Sequence, residues 1–200
     1  MITMKQIVMD GHPLLRSIVS EVKLPLSDED KQLMKDLFEF LCNGQNKKSA
    51  KKYSLAEGVG IAASQIGIDK RIIAIRTEDE KDILHEYVLA NPKVISHSEE
   101  MAYLPNGEGC LSVENEIDGF VPRHRRVTVK GIDLEGNEVT IKAKDTVAIV
   151  LQHEIDHLNG KMFYDYINEK APLMPPQDAY KITLDQRKKR GKTDAHRKQK

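Results

Sequence analysis

The sequence predicts an α+β fold, a single domain in which small antiparallel or mixed sheets surround one buried helix. Three observations predict it. The 200 residues are 40% hydrophobic, enough to bury one core. Short apolar or alternating runs at 71–76, 87–89, 125–132 and 138–142 have the period of strands. After them comes the almost continuous apolar run of Asp145-Thr146-Val147-Ala148-Ile149-Val150-Leu151-Gln152, which reads as a short, deeply buried helix.

Taken in order, the elements have local reasons. The start, Met1 to Gln6, lacks the apolar stretch of a signal peptide. Ser27 with Asp30 three residues on resembles a capping box, and Leu33, Met34, Leu37, Phe38 and Leu41 form one helical face. Asn43-Gly44 is the expected stop, and Cys42, at the end of the stripe, is expected in or near the core. Residues 45–55 are polar and read as a surface excursion. Arg71 to Arg76 is expected as a strand, as is Tyr87 to Leu89 ahead of Asn91-Pro92. Residues 125–132 and 138–142 alternate around Asp133-Leu134-Glu135-Gly136-Asn137, a hairpin signature. The buried helix has possible caps at Asp145 or Thr146 and an end at Asn159-Gly160. No internal repeat or coiled-coil period appears.

Composition narrows the class further. Nothing approaches an apolar run of about 18 residues, so a soluble, cytoplasmic domain without a membrane partner is expected. Cys42 and Cys110 are too few for a disulfide framework. The net charge of zero conceals an asymmetry: residues 181–200 hold nine Lys/Arg against two Asp, so the rest of the chain is acidic. The expected organisation is a domain over 1–180 and a basic tail over 181–200, disordered when alone.

The chemistry starts from His153-Glu154-Ile155-Asp156-His157. On a helix, positions i and i+4 share a face, so the two imidazoles can grip one metal ion and leave Glu154 free to move a proton. The plainer reading is a pair of structural histidines on a half-exposed face. A catalytic zinc-type site needs a third protein ligand and an open position. Cys110 is the natural one, in Gly107-Glu108-Gly109-Cys110-Leu111-Ser112, where two glycines let the backbone approach closely; its alternative is a small buried hydrophobe. A Cys/His/His set suits iron, zinc, cobalt or nickel and argues against calcium or magnesium. A further stretch, Gly58-Val59-Gly60-Ile61-Ala62-Ala63-Ser64-Gln65, lacks the spacing of a dinucleotide fingerprint or P-loop. It reads either as a tight turn with a packed Ala-Ala contact or as a wall for an extended peptide.

Together, Gly58-x-Gly60-x-Ala62-Ala63-x-Gln65, Glu108-Gly109-Cys110-Leu111-Ser112 and Gln152-His153-Glu154-x-x-His157 resemble, in order, the three motifs of the peptide deformylase family. Supporting matches are His12-Pro13-x-Leu15-Arg16 and Val121-Pro122-Arg123, and the resemblance runs from about residue 4 to residue 167. The stretch around 44–57 and Tyr103-Leu104-Pro105-Asn106-Gly107 look like the Gram-positive type. Ser64 stands where many members have Pro or Thr, and the tail beyond about 180 is the larger departure.

The resemblance implies metal-dependent hydrolysis of the N-formyl group from the initiator methionine of nascent polypeptides. Cys110, His153 and His157 would hold one divalent metal, with Fe2+ as the native ion and Zn2+, Ni2+ or Co2+ as alternatives. Glu154 would act as general base and then acid, while the Gln65 side-chain amide and the Leu111 backbone N–H would help the metal hold the oxyanion. Val59, Ile149 and Val150 match an apolar methionine pocket, and the Gly60 backbone would pair with the substrate main chain. Arg123 is expected to support the helix by pairing with Asp156, its alternative being an ordinary surface arginine.

Two competing classes remain at this point. A zinc metalloprotease acting on internal peptide bonds would use Glu169 as third ligand and give Cys110 no role. A non-catalytic ribosome- or RNA-associated protein draws support only from the tail, whose Lys/Arg cluster could attach to ribosomal RNA near the exit tunnel without sequence-specific contacts.

Overall fold

The computed structural model describes residues 1–183. Its helices are α1 (Asp28–Gln45), α2 (Lys47–Tyr53) and α3 (Asp145–His157). A five-stranded antiparallel sheet is built from β1 (Gly60–Ala62), β2 (Ile72–Glu78), β3 (Leu84–His97), β6 (Arg126–Ile132) and β7 (Glu138–Lys144), in the order β1-β2-β3-β6-β7. A smaller mixed sheet sets β4 (Met101–Tyr103) between β5 (Arg123–His124), antiparallel to it, and β8 (Tyr180–Lys181), parallel to it. The fold is the expected α+β arrangement of small sheets about a buried helix.

The large sheet separates two cores, and this explains the unbroken apolar run in β2. Ile73 and Ile75 face α3, where they meet Val147, Ala148, Val150, Leu151 and Ile155. Ile72 and Ala74 face the other way, onto Met34, Leu37, Phe40 and Leu41 of α1. A strand covered on both faces has no polar side to display. α3 is buried along nearly its whole length, which is why its sequence lacks a polar stripe.

Several boundaries depart from the sequence reading. α1 continues to Gln45, past Asn43-Gly44. Gly44 serves packing: a Cβ there would stand 2.6 Å from the Ala56 carbonyl oxygen. The expected surface excursion at 45–55 is largely α2, capped by the Asn46 side chain, which accepts from the Lys48 and Ser49 N–H groups. β3 does not stop at Asn91-Pro92 but crosses it through irregularities between Ala90 and Lys93 and between Val94 and Ser96. Proline lacks an N–H and is accommodated where the ladder is already interrupted.

The start of α3 differs most from expectation. Neither Asp145 nor Thr146 caps it. Asp145 adopts a left-handed φ of 53° and its carboxylate is held by Arg125 at 2.7 Å. The cap comes from the β2–β3 connection, where Glu80 accepts from the Thr146 N–H at 2.9 Å and its hydroxyl at 2.5 Å. At the other end, Gly160 takes a φ of 70° after the helix, in keeping with the predicted stop.

Lys181 lies in β8 and Ile182 packs on Ala102 and Ile149, so these two residues, expected in the tail, belong to the packed fold. The remainder of the expected basic tail, 184–200, lies outside the described residues. No helix among the described residues is long and apolar enough to cross a membrane.

Candidate metal centre

His153 and His157 stand one turn apart on α3, with their Nε2 atoms 3.2 Å from each other. Cys110, in the loop after β4, brings its Sγ to 3.3 Å from His157 Nε2. The three donor atoms lie within 4.8 Å of one another. A tetrahedral ion with metal–nitrogen and metal–sulfur bonds of about 2.0 to 2.3 Å requires donor separations of roughly 3.3 to 3.6 Å, so this set fits one divalent metal with little adjustment.

What surrounds the ligands fixes their orientation. Glu108 Oε2 takes a hydrogen bond from His153 Nδ1 at 2.8 Å, which aims Nε2 at the centre. Arg123 is buried and grips the same carboxylate through Nε at 2.8 Å and Nη2 at 2.9 Å. Its remaining nitrogen, Nη1, pairs with Asp156, which also accepts from the Tyr166 hydroxyl at 3.1 Å. Burial raises the Glu108 pKa, but Arg123 and His153 together outweigh it and hold the carboxyl at about 2. Burial pulls His153 down, yet hydrogen bonds to Cys110 and Glu108 hold it well above the usual imidazole range. Burial and the neighbouring His153 push His157 well below that range.

Glu154 sits beside the ligands, 4% exposed, with Oε2 lacking a hydrogen-bond partner among the described residues. Burial pushes its carboxyl up to about 7, where it can both take and release a proton near neutral pH. Gly60 makes room for it: a Cβ there would lie 2.3 Å from Glu154 Oε1 and 2.7 Å from its Cδ. Gly60→Ala should therefore keep a full metal complement but lower kcat at least about tenfold, because a displacement near 1 Å can cost up to about 100-fold. Metal analysis beside the rate assay checks this, and activity within twofold of wild type would mean that Glu154 does not need its present position.

Gln65 is fixed by its own carbonyl oxygen, which accepts from the Ala62 N–H at 2.8 Å. Its amide nitrogen then points at Cys110 Sγ and Ser112 Oγ, each 3.4 Å away. Leu111 follows Cys110, and its side chain packs on Gly58. A cavity of about 600 Å³ opens in front of these groups, with Ile149 and Val150 buried in its wall and Val59, 47% exposed, at its mouth. Gly60 lies on β1, an outer strand of the sheet with β2 on one side only. A second cavity, of about 650 Å³, lies across α3 near His97 and His124 and contains none of the three ligands.

A family profile described as "Polypeptide deformylase" matches residues 4–172. The chain belongs to that family. It is 53% identical over 182 residues to "Peptide deformylase 2" of Bacillus subtilis, covering 91% of this chain and 99% of the relative. It is 54% identical over 178 residues to a peptide deformylase of Listeria welshimeri, 89% of this chain and 97% of the relative. These relatives agree with the Gram-positive type expected from the sequence. Among solved structures it is similar to the "Met-ala-ser bound" class I type b peptide deformylase from Acinetobacter baumannii. There the identity is 30% and the TM-score 0.64, over 80% of this chain and 96% of that one.

Family membership and the Cys/His/His centre make the protein a metallohydrolase of the peptide deformylase type, one that hydrolyses an N-formyl group. The metalloprotease reading loses its third ligand. Glu169 is exposed, and among the described residues the group able to hold a metal is Cys110, His153 and His157.

Glu108, Ser64 and Ser112 all lie within the sequence motifs, but the motifs alone give them no task. Ser64 donates to the His157 carbonyl at 3.3 Å, steadying the end of α3. The available signal was Glu108 itself, an acid between two glycines two residues before a ligand, where a buried imidazole needs an acceptor.

Proposed function

We propose that deformylation proceeds with Glu154 as the proton carrier and with Gln65 and Leu111 as donors to the developing oxyanion. Cys110, His153 and His157 would hold a divalent ion, which would supply Lewis acidity toward the formyl carbonyl and the attacking water. Glu154 takes a proton from that water as it adds to the formyl carbon, then delivers the proton to the departing amine as the C–N bond breaks. The Gln65 amide and the Leu111 N–H meet the negative charge that builds on the formyl oxygen, when their help lowers the barrier most. The observation that carries the reading is a buried, unpartnered Glu154 oxygen beside three converging ligand atoms.

Substrate binding follows the same surfaces. The methionine side chain enters the cavity walled by Val59, Ile149 and Val150, where each buried methylene is worth about 0.8 kcal/mol. Its backbone pairs with the outer edge of β1 at Gly60, which favours any sequence after the methionine. A Met-ala-ser bound structure of the Acinetobacter deformylase is in keeping with recognition of a methionine-led peptide. A formyl carbon carries only hydrogen beside its oxygen, so crowding at the centre can exclude acetyl. The decisive assay compares formyl-Met, acetyl-Met and internally cleavable peptides. Hydrolysis of the first alone is expected, and comparable cleavage of internal bonds would overturn the reading.

Fe2+ is the proposed native ion, with Zn2+, Ni2+ or Co2+ able to replace it, because one thiolate and two imidazoles favour these over harder cations. With formyl-methionyl nascent peptides as its substrates, the enzyme would work in the cytoplasm. The basic tail would hold the enzyme near the exit tunnel through phosphate contacts that read charge rather than sequence. Truncation after Thr183, which keeps Ile182, should leave kcat/KM on a short formyl-Met peptide within twofold and reduce ribosome co-sedimentation at low salt. Equal sedimentation of both forms would remove the tail as an anchor.

A further inference from the structure

The residues on either side of His12-Pro13-x-Leu15-Arg16, a match that the metal chemistry does not use, touch all three site segments. The Val8 N–H donates to the Gln65 carbonyl at 2.8 Å, and the Asp10 N–H donates to the Ser112 carbonyl at 2.7 Å. Two donors only two residues apart thus tie the segment that carries Gln65 to the one that carries Leu111. The direct side-chain contacts between those segments, Gln65 Nε2 to Cys110 Sγ and to Ser112 Oγ, are longer at 3.4 Å each. Further along, the Val19 N–H reaches the Leu158 carbonyl at 3.0 Å, just after α3.

The strap has its own anchor. The Tyr164 hydroxyl donates to Asp10 Oδ2 at 2.6 Å and accepts from Arg16 Nη2 at 2.8 Å. Arg16 Nη1 pairs with Asp165 at 2.6 Å, and Asp165 in turn accepts from the Met162 N–H at 2.8 Å. Tyr164 belongs to the single turn Phe163–Tyr166, whose Phe163 ring stacks near His153, 6.0 Å between centroids. Gly160 allows this closeness, since a Cβ there would stand 2.7 Å from the Arg16 carbonyl.

We propose that Val8–Asp10 is a positioning strap that sets the spacing of the Gln65 amide and the Leu111 N–H, held in register by the Asp10–Tyr164–Arg16 anchor. It rests on the reading of those two groups as oxyanion donors. Donors aimed at charge that develops only during reaction act on rate more than on binding, so a slackened strap costs kcat and spares KM.

A double-mutant cycle on the metal-loaded enzyme tests the strap. Tyr164→Phe and Asp10→Ala should each lower kcat on a formyl-Met peptide about 5- to 20-fold, as expected for a displaced donor, with KM within twofold and metal content unchanged. Made in Gln65→Ala, each should lose much less, so that the combined loss falls well short of the product of the single losses. Multiplying losses, or a rise in KM at constant kcat, would overturn the strap and leave the donors standing. Two silent single variants would overturn it as well. If Gln65→Ala itself kept full kcat, the donor reading would fail first, and the strap with it.

Discussion

Glu154→Gln is expected to keep one metal ion per chain while kcat/KM on a formyl-Met peptide falls at least about 100-fold, within the usual range for loss of a general base. The substitution is nearly isosteric, and the neighbours of Glu154 impose shape more than charge. Gly60 closes against one oxygen, and the other has no partner among the described residues. An amide therefore fits the space. What it removes is the ability to accept and return a proton, poised near neutrality by burial that lifts the carboxyl to about 7. The ligands are untouched, since Glu108 and Arg123 orient His153 from the opposite side of the ring. Activity above a tenth of wild type, with metal present, would sink Glu154 as the base.

Cys110→Ala should strip most of the metal and nearly all activity, Cys110→Ser should weaken binding sharply, and Cys42→Ala should do neither. The two cysteines are both free and both half-buried, so the contrast isolates position rather than thiol chemistry. Cys42 lies on α1, and burial pushes its thiol up, as expected of a packing residue. Cys110 faces two imidazoles at ligand spacing, and two ligands alone hold a divalent ion poorly. Metal analysis after anaerobic purification decides the point, and a full complement in both Cys110 variants would put the third ligand elsewhere. With iron as the native ion, activity should also decline in air and become more durable when nickel or cobalt replaces it.

Much of this architecture can be read from local pattern because burial leaves a periodic mark. Ile72 to Ile75 reads as a strand, and α3 as a buried helix, since each repeats the geometry of the surfaces covering it. The hairpin at Asp133–Asn137 is legible from its turn residues, and the Asp133 carboxylate accepts from the Asn137 N–H at 2.7 Å. α2 escapes notice because Lys47 to Tyr53 has little apolar face, and its stability comes from the Asn46 cap and contact with α1. The Glu80 cap on α3 cannot be seen locally, because the two residues are 66 positions apart and meet only once the sheet exists. The ligands were legible for the opposite reason: a metal imposes spacing, and His153 and His157 obey it within a single turn. Glu108 obeys no such spacing. Its partners, Arg123 and His153, are 15 and 45 residues away.

Those separations bear on how the enzyme comes into being. As the chain emerges from the ribosome, Gln65 must wait 45 residues for Cys110, and Cys110 a further 47 for His157. Ile149, in the wall of the cavity at the metal centre, gains its contact with Ile182 only later still. Until α3 is made, the β2 face that carries Ile73 and Ile75 lacks the helix that will cover it, the kind of exposed surface that invites aggregation or a chaperone. The enzyme that processes newborn chains thus has a vulnerable infancy of its own. Its catalytic centre is among the last parts of the described fold to close.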